Sequence, residues 1–189
     1  MIAFTFYMRR LHSLCGLTIL GAFLIKHILI NANVISPKFG IPFEREIVAV
    51  FLLFHGIYGI YIALQARNNA WDYPFAQNIR FSLQRMTSWY LTGFLIYHVF
   101  YMDFYVPWSG AHISFQLLRN HVGDPVHWVM YLLGFWAAIF HFCNGITTFF
   151  ISWGIAKGSR IQRVINCLSM LLCFLLCLVS LVSMLVYLQ

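Results

Sequence analysis

Four histidines are the residues of this sequence best suited to chemistry. His27, His55, His98 and His141 each lie inside a different long apolar stretch. An ionisable side chain is costly in a membrane interior and by default marks a functional site. Neutral imidazole is a good metal ligand, so two pairs of histidines facing each other across a helical bundle would hold two six-coordinate haems. The alternative for each histidine is a neutral side chain that donates one hydrogen bond to a neighbouring helix.

The apolar stretches have the length of membrane spans. The chain has 189 residues, of which 61% are hydrophobic and 9% charged, whereas about a quarter of a soluble domain is charged. A helix needs about 20 apolar residues to cross a bilayer. Five stretches satisfy this requirement, at 11–33, 45–67, 84–106, 126–155 and 161–187. We therefore predict an all-α fold, in which residues 1–189 form a single transmembrane, haem-binding bundle of five helices.

The positive charges are distributed unevenly between the two ends of this bundle. The net charge of +7 does not indicate a nucleic-acid partner, because the cations follow the membrane topology. One side carries eight cations, namely Arg9, Arg10, Arg67, Arg80, Arg85, Lys157, Arg160 and Arg163. The opposite side carries Lys38, Arg45 and Arg119. The positive-inside rule then places the N-terminus in the cytoplasm and the C-terminus outside.

Polar residues on the histidine-bearing faces lie toward the predicted cytoplasmic end. Haem propionates need hydrogen-bond donors and cations at a membrane face, and a belt of such residues can provide them. The belt consists of His12, Ser13, Gln84, Arg85 and Ser152. With 100° per residue, Ser13 and Gly16 also fall on the face of His27. The alternative is that the belt only anchors the helices at the lipid headgroups.

Several sequence blocks resemble a known family. The first span contains Arg-Arg-Leu-His-Ser-Leu-Cys-Gly at 9–16, and the second contains Phe-His-Gly-Ile-Tyr-Gly at 54–59. The third opens with Leu-Gln-Arg-Met-Thr at 83–87, and the fourth contains Phe-His-Phe-Cys-Asn-Gly at 140–145. In these blocks the chain resembles the two-haem cytochrome b anchors of Bacillus-type succinate dehydrogenases and related fumarate reductases. The resemblance covers the first four spans, and the fifth matches only as an apolar helix.

The resemblance implies ligand pairs and partners. His27 and His98 would bind an outer haem b, and His55 and His141 an inner one. A flavoprotein subunit would oxidise succinate and an iron–sulfur subunit would pass electrons to this chain, which has no succinate-oxidising site. The acceptor would be menaquinone, and the complex would lie in a bacterial cytoplasmic membrane. The cytoplasmic connection with Trp71, Tyr73 and Phe75 is a plausible docking platform for the iron–sulfur subunit, or an anchor in lipid.

Glu44 is the carboxylate best placed for proton exchange outside. It precedes His55 by eleven residues and therefore shares its inward face, whereas Glu46 should face outward. We hypothesise that Glu44 exchanges protons with the quinone. Alternatively, Glu44 only stabilises the helix N-terminus, where the dipole favours a carboxylate.

Other functions remain open at this point. The chain can be a cytochrome b anchor of another complex, such as a fumarate reductase working in reverse, a hydrogenase or a formate dehydrogenase. It can also be a non-haem transporter that uses histidines for metal ions or protons, or an anchor that has lost its haem. Transporters usually have paired halves and broken helices, and neither is evident in this sequence.

Overall fold

The computed structural model describes residues 2–36, 38, 40–65 and 75–189. All regular structure in these ranges is helical, which confirms the all-α part of the predicted fold class. Helix α1 runs through Ile2–Cys15, a π-helical turn at Gly16–Leu20, and Gly21–Asn31. Helix α2 comprises Glu44–Gln65. Two predicted features, the end of the second span and the platform residues Trp71 and Tyr73, lie outside the described residues.

Helix α3 is longer than predicted. It begins at Ala76 rather than at residue 84, runs through Ala76–Val99, and continues as a π-helical turn at Phe100–Tyr105 and a last turn at Val106–Trp108. Arg80 therefore lies inside this helix and not in the connection before it. The polar composition of residues 76–85 suggested a loop, but good helix formers extend the helix there.

Two more long helices complete the bundle. Helix α5 is Pro125–Ser152, and α6 is Ser159–Leu185 with a 3₁₀ turn at Val186–Leu188. A short helix, α4 at Phe115–Val122, lies in a region predicted as a connection. Its N-cap is Ser114, whose side chain accepts a hydrogen bond from the amide of Leu117. A search for apolar spans overlooks a helix of this length, although the serine cap is visible in the sequence.

Four helices form a ring, and the fifth long helix packs outside it. Neighbours in the ring are α1 with α2, α2 with α3, α3 with α5, and α5 with α1. Helix α6 packs against α5 and α1, where Ile28, Ile139, Cys143 and Leu176 form a buried cluster. Within the described residues, the diagonal helices α1 and α3 do not pack closely on each other, and neither do α2 and α5. The ring therefore encloses space along its axis.

Among the described residues, four helices, compared with the five predicted spans, are long and apolar enough to cross a membrane: Phe4–Asn31, Glu44–Gln65, Pro125–Ser152 and Ser159–Leu188. Their outward faces carry large exposed apolar side chains such as Leu53, Ile57 and Phe174, which is the pattern of a lipid-facing surface. Helix α3 is not among the four, because tyrosines, His98 and Asp103 lower the hydropathy of its apolar part as well. In the ring it lies between α2 and α5, and its crossing of the membrane stays a prediction.

Candidate functional site

The four histidines meet in two pairs across the diagonals of the ring. His27 of α1 faces His98 of α3, with ring centres 6.1 Å apart. His55 of α2 faces His141 of α5, with ring centres 6.2 Å apart. We call His27 and His98 the outer pair, and His55 and His141 the inner pair. Both pairs occupy the space that the diagonal helices leave open.

The distance between the two imidazole ring centres of each pair matches the distance expected when both imidazoles bind one metal ion from opposite sides. A metal–nitrogen bond of about 2 Å on each side, plus about 1 Å from each nitrogen to its ring centre, gives about 6 Å. Within the described residues, no group of three or more His, Cys, Asp or Glu side chains converges on one point. A pair of nitrogens on opposite sides is the donor set that haem iron needs, because the porphyrin provides the other four ligands.

The two pairs lie at different depths. Gly16 of α1 contacts the imidazole of His55, and Gln84 of α3 contacts His141. From Gly16 to His27 the helix rises about 16 Å, and from Gln84 to His98 about 21 Å. Two separate cofactors therefore have room along the axis. Gly16 contacts His55 of the inner pair and does not share a helix face with His27, so our helical-wheel prediction was wrong. The π-helical turn at Gly16–Leu20 changes the angle around the helix axis between these two residues.

The histidines of the inner pair are oriented by backbone carbonyls. His55 donates from Nδ1 to the carbonyl oxygen of His12 at 3.1 Å, and the Cys15 thiol lies 3.8 Å from the same nitrogen. His141 donates from Nδ1 to the carbonyl oxygen of Gln84 at 3.3 Å. A histidine that donates Nδ1–H presents its Nε2 lone pair for coordination, as metal-bound histidines commonly do. Both members of the inner pair therefore have a tautomer suited to metal binding.

Gln84 joins α3 to α5 beside the inner pair. Its amide nitrogen donates to the carbonyl oxygen of His141 at 3.0 Å, and its Oε1 accepts from Asn144 Nδ2 at 2.9 Å. Asn144 is almost fully buried. Our sequence reasoning missed this role of Asn144, although it belongs to the Phe-His-Phe-Cys-Asn-Gly block. A buried amide one turn from a histidine was the available signal.

We expect Gln84→Leu to lower the free energy of unfolding by about 1 to 2 kcal/mol, because it leaves the Asn144 amide without its acceptor and breaks a second interhelical bond. Denaturation in detergent measures this change. The control is Gln116→Leu, which breaks an exposed hydrogen bond to Asn120 and should change stability by less than about 0.5 kcal/mol. Equal effects of the two substitutions would contradict the structural role of Gln84.

The outer pair has an aromatic surrounding. His27 is flanked by Phe23 at 5.5 Å and Phe135 at 6.0 Å between ring centres, and Tyr131 approaches His98 edge-on at 5.6 Å. The Nδ1 atom of His98 is buried and has no hydrogen-bond partner among the described residues. An apolar aromatic surrounding of this kind suits a flat macrocycle.

The predicted polar belt is partly engaged with the protein itself. Ser13 donates to the carbonyl oxygen of Arg10 at 2.9 Å and accepts from Trp153 Nε1 at 3.1 Å, and Ser152 donates to the carbonyl oxygen of Phe149 at 3.1 Å. The Arg85 guanidinium lies over the Phe81 ring. Their contact with propionates stays a prediction, as does that of Gln84.

His12 is the member of the belt that stacks on a histidine of the inner pair. Its ring stacks on His55 with 3.9 Å between centres and 7° between planes. Its Nε2 is buried and lacks a hydrogen-bond partner among the described residues. Gly59 of α2 makes room for it, because a Cβ at that position would lie 3.2 Å from this nitrogen. His12 therefore forms one wall of the inner site, and its contact with a propionate remains a prediction.

Glu44 lies beside the outer pair and is paired with Lys26. The ammonium group of Lys26 donates to Oε2 of Glu44, and both side chains are largely buried. A cavity of about 340 Å³ adjoins this ion pair and His27. Its walls also include Phe23, Ile30, Ile41, Phe43, Arg45 and Glu46. Glu44 thus borders a partly apolar space next to the outer pair, whereas Glu46 is exposed.

Known proteins resemble this chain. Residues 70–186, more than half of the chain, match the family model described as "Succinate dehydrogenase/Fumarate reductase transmembrane subunit". A curated relative, the succinate dehydrogenase cytochrome b558 subunit of Bacillus subtilis (strain 168), is 35% identical over 173 residues, covering 84% of this chain and 85% of the relative. No solved structure matches. The chain therefore belongs to the family of transmembrane subunits of succinate dehydrogenase and fumarate reductase.

Proposed function

We propose that this chain is the dihaem cytochrome b subunit of a succinate dehydrogenase, and that it transfers electrons from the iron–sulfur subunit to menaquinone. The observation that carries this proposal is the pair of diagonal histidine contacts at 6.1 and 6.2 Å. His27 and His98 would hold one haem b, and His55 and His141 the other. Bound in this way, haem iron provides one-electron transfer.

The residues around each pair support the ligand roles. The carbonyls of His12 and Gln84 fix the Nδ1–H tautomers of the inner pair, which leaves both Nε2 atoms available to iron. Gly16 lets the backbone of α1 approach the His55 ring, because a Cβ there would overlap the imidazole. The residues that shape the inner site thus come from all four helices of the ring.

The proposed orientation places the inner pair near the cytoplasm. Arg9, Lys157, Arg160 and Arg163 are exposed at that end of the bundle, and Arg10 lies over the ring of Trp153. An exposed cationic surface with an aromatic border, including the exposed Phe75, suits docking of the iron–sulfur subunit, which would bring the flavoprotein subunit with it. The same cations favour anionic lipid headgroups of a bacterial cytoplasmic membrane.

The cavity at Lys26 and Glu44 is the proposed quinone site. Its aliphatic and aromatic walls suit a quinone ring, and its carboxylate can exchange the protons that accompany quinone reduction. Lys26 in the ion pair keeps Glu44 close to the cavity. The electron acceptor would then bind beside the outer pair, at the side opposite the iron–sulfur subunit.

The decisive experiment is a haem count on the purified complex. We expect two haem b per copy of this chain by pyridine haemochrome assay, with reduction by succinate when the flavoprotein and iron–sulfur subunits are bound. Haem that dithionite reduces but succinate does not would exclude the proposed electron donor. One haem or none per chain would contradict the dihaem assignment.

A further inference from the structure

A cluster of titratable side chains lies at the predicted outer end, apart from the four histidine ligands. The Tyr97 hydroxyl is 3.0 Å from His121 Nε2, within hydrogen-bonding distance. The rings of His121 and His127 lie 4.4 Å apart between centres. His127 Nδ1 is 3.1 Å from Oδ1 of Asp124. These contacts connect α3, α4 and α5, and our sequence reasoning assigned no role to them.

The cluster is accessible from the outer aqueous side. A cavity of about 630 Å³ is lined by Tyr101, Ala111, His112, Ser114, Gln116, Leu117, Asn120 and His121. Most of these side chains are polar, so the cavity suits water more than an apolar ligand. The side chain of Asp124 is 49% exposed. Protons from solvent can therefore reach His121 from the cavity or through Asp124 and His127.

The inner side of the cluster borders the outer pair. Tyr131 approaches both His121 and His98 edge-on, with ring centres 5.9 and 5.6 Å away. From α3, the titratable groups that face His121 are Tyr97, Tyr101 and His98. From α5 they are His127 and Tyr131, together with Asp124, the N-cap residue of this helix. One tyrosine ring thus separates His121 from a proposed haem ligand. A charge change at the outer pair acts on His121 through a medium of low dielectric constant.

The surroundings of His121 favour its neutral form. Burial lowers the pKa of His121, the neighbouring His127 lowers it further, and Asp124 partly opposes both effects. The Asp124 carboxylate stays ionised, because hydrogen bonds from the backbone amide of His127 and from its other partners lower the pKa of Asp124. An electron added nearby favours the protonated imidazole and raises the pKa of His121. The group is therefore free to accept a proton when negative charge arrives.

We propose that His121 binds one proton when an electron reaches the haem that the outer pair would hold, and releases it when the electron leaves. The inference rests on the proposed function. The electron comes from the iron–sulfur subunit, and the proton comes from the outer water through His127 and Asp124. One N–H bond forms on the imidazole, which becomes imidazolium, and the charge of the added electron is balanced. When a quinone takes the electron, the same N–H bond breaks and the proton returns outside or accompanies the quinone.

The test is a redox titration of both haem signals in the purified complex over a range of pH. Protonation linked to reduction makes the midpoint potential fall as pH rises between the pKa of His121 in the oxidised state and its higher pKa in the reduced state. The largest slope is tenfold in the redox equilibrium per pH unit, or about 59 mV for one electron. We expect such a slope for the outer haem. His121→Gln should flatten it and leave the inner haem unchanged.

Two further variants make the test specific. His112→Gln removes another imidazole from the wall of the same cavity and should keep the wild-type slope. Asp124→Asn preserves the helix cap but removes the negative charge that favours protonated His121. The pH range in which the midpoint potential changes should therefore shift to lower pH. This variant tests the proposal even if the His121→Gln complex fails to assemble. An unchanged outer-haem slope in His121→Gln would overturn this inference and leave the proposed function intact. Absence of both haem signals from the wild-type complex would overturn both.

Discussion

Replacing His98 by alanine should halve the haem content of the complex, from two haem b per chain to one. His98 faces His27 across the α1–α3 diagonal, and no other described His, Cys, Asp or Glu group converges there to replace it. The inner pair lies roughly 20 Å farther along α3. Its orienting hydrogen bonds come from His12 and Gln84, so they do not depend on His98. The remaining haem should therefore keep its spectrum and its reduction by succinate.

The measurement combines a pyridine haemochrome assay with an optical difference spectrum of membranes that contain the assembled complex. His112→Ala is the control, since His112 lines the outer cavity away from both pairs, and it should keep two haems. Added imidazole should restore the outer haem in His98→Ala if only a ligand has been lost. Retention of both haems would exclude His98 as a ligand. Loss of the inner haem from a variant that still assembles would show that the two sites are not independent.

Replacing Glu44 by glutamine should lower succinate–quinone turnover by about a hundredfold or more, the usual contribution of a positioned acid or base. Both haems should be retained, and succinate should still reduce them. Glutamine can still accept a hydrogen bond from Lys26, so the wall of the cavity stays in place. It cannot exchange a proton with the quinone, and turnover at the outer side should stop for that reason.

The matched control is Glu46→Gln, two residues farther along α2. Glu46 also borders the cavity, but it is exposed and makes no ion pair among the described residues. This variant should keep near-wild-type turnover, as measured with a soluble menaquinone analogue. Normal quinone reduction in Glu44→Gln would end the proposal that Glu44 exchanges protons. Loss of haem in that variant would instead assign the carboxylate a structural role at α1.

The sequence was sufficient to predict the helical fold, the family and the four histidines that the structure brings together in two pairs. It does not separate His98 from His141 in depth, because the number of residues between a histidine and a cation such as Arg85 does not measure the distance to the membrane surface. Helix α3 begins at Ala76, so Arg85 already lies beside Gln84, level with the inner pair. A long cationic side chain can extend from such a depth to the interface, and its position in the sequence therefore does not locate the surface.

Side-chain contacts between different helices also could not be predicted from the sequence. The pair Lys26–Glu44 and the contact between Gln84 and Asn144 join residues on different helices, and helical periodicity gives only the face on which each residue lies. The cluster around His121 depends on α4, whose eight residues are too short for a search based on membrane spans. Sequence periodicity thus indicates the helix face on which each of the four histidines lies, but not most of the groups that contact them.

Because of the π-helical turn at Gly16–Leu20, the two halves of α1 direct their site residues toward different neighbouring helices. A π turn holds about one residue more than an α turn, which rotates everything beyond it by about 100° relative to a regular helix. Below the turn, α1 presents His12 and Gly16 to α2, and above it the same helix presents His27 to α3. One helix can therefore contribute to two stacked sites that face different neighbours. The length of this segment is thus constrained to the single residue, and its first residue is constrained in identity as well, because a Cβ on Gly16 would overlap the His55 ring.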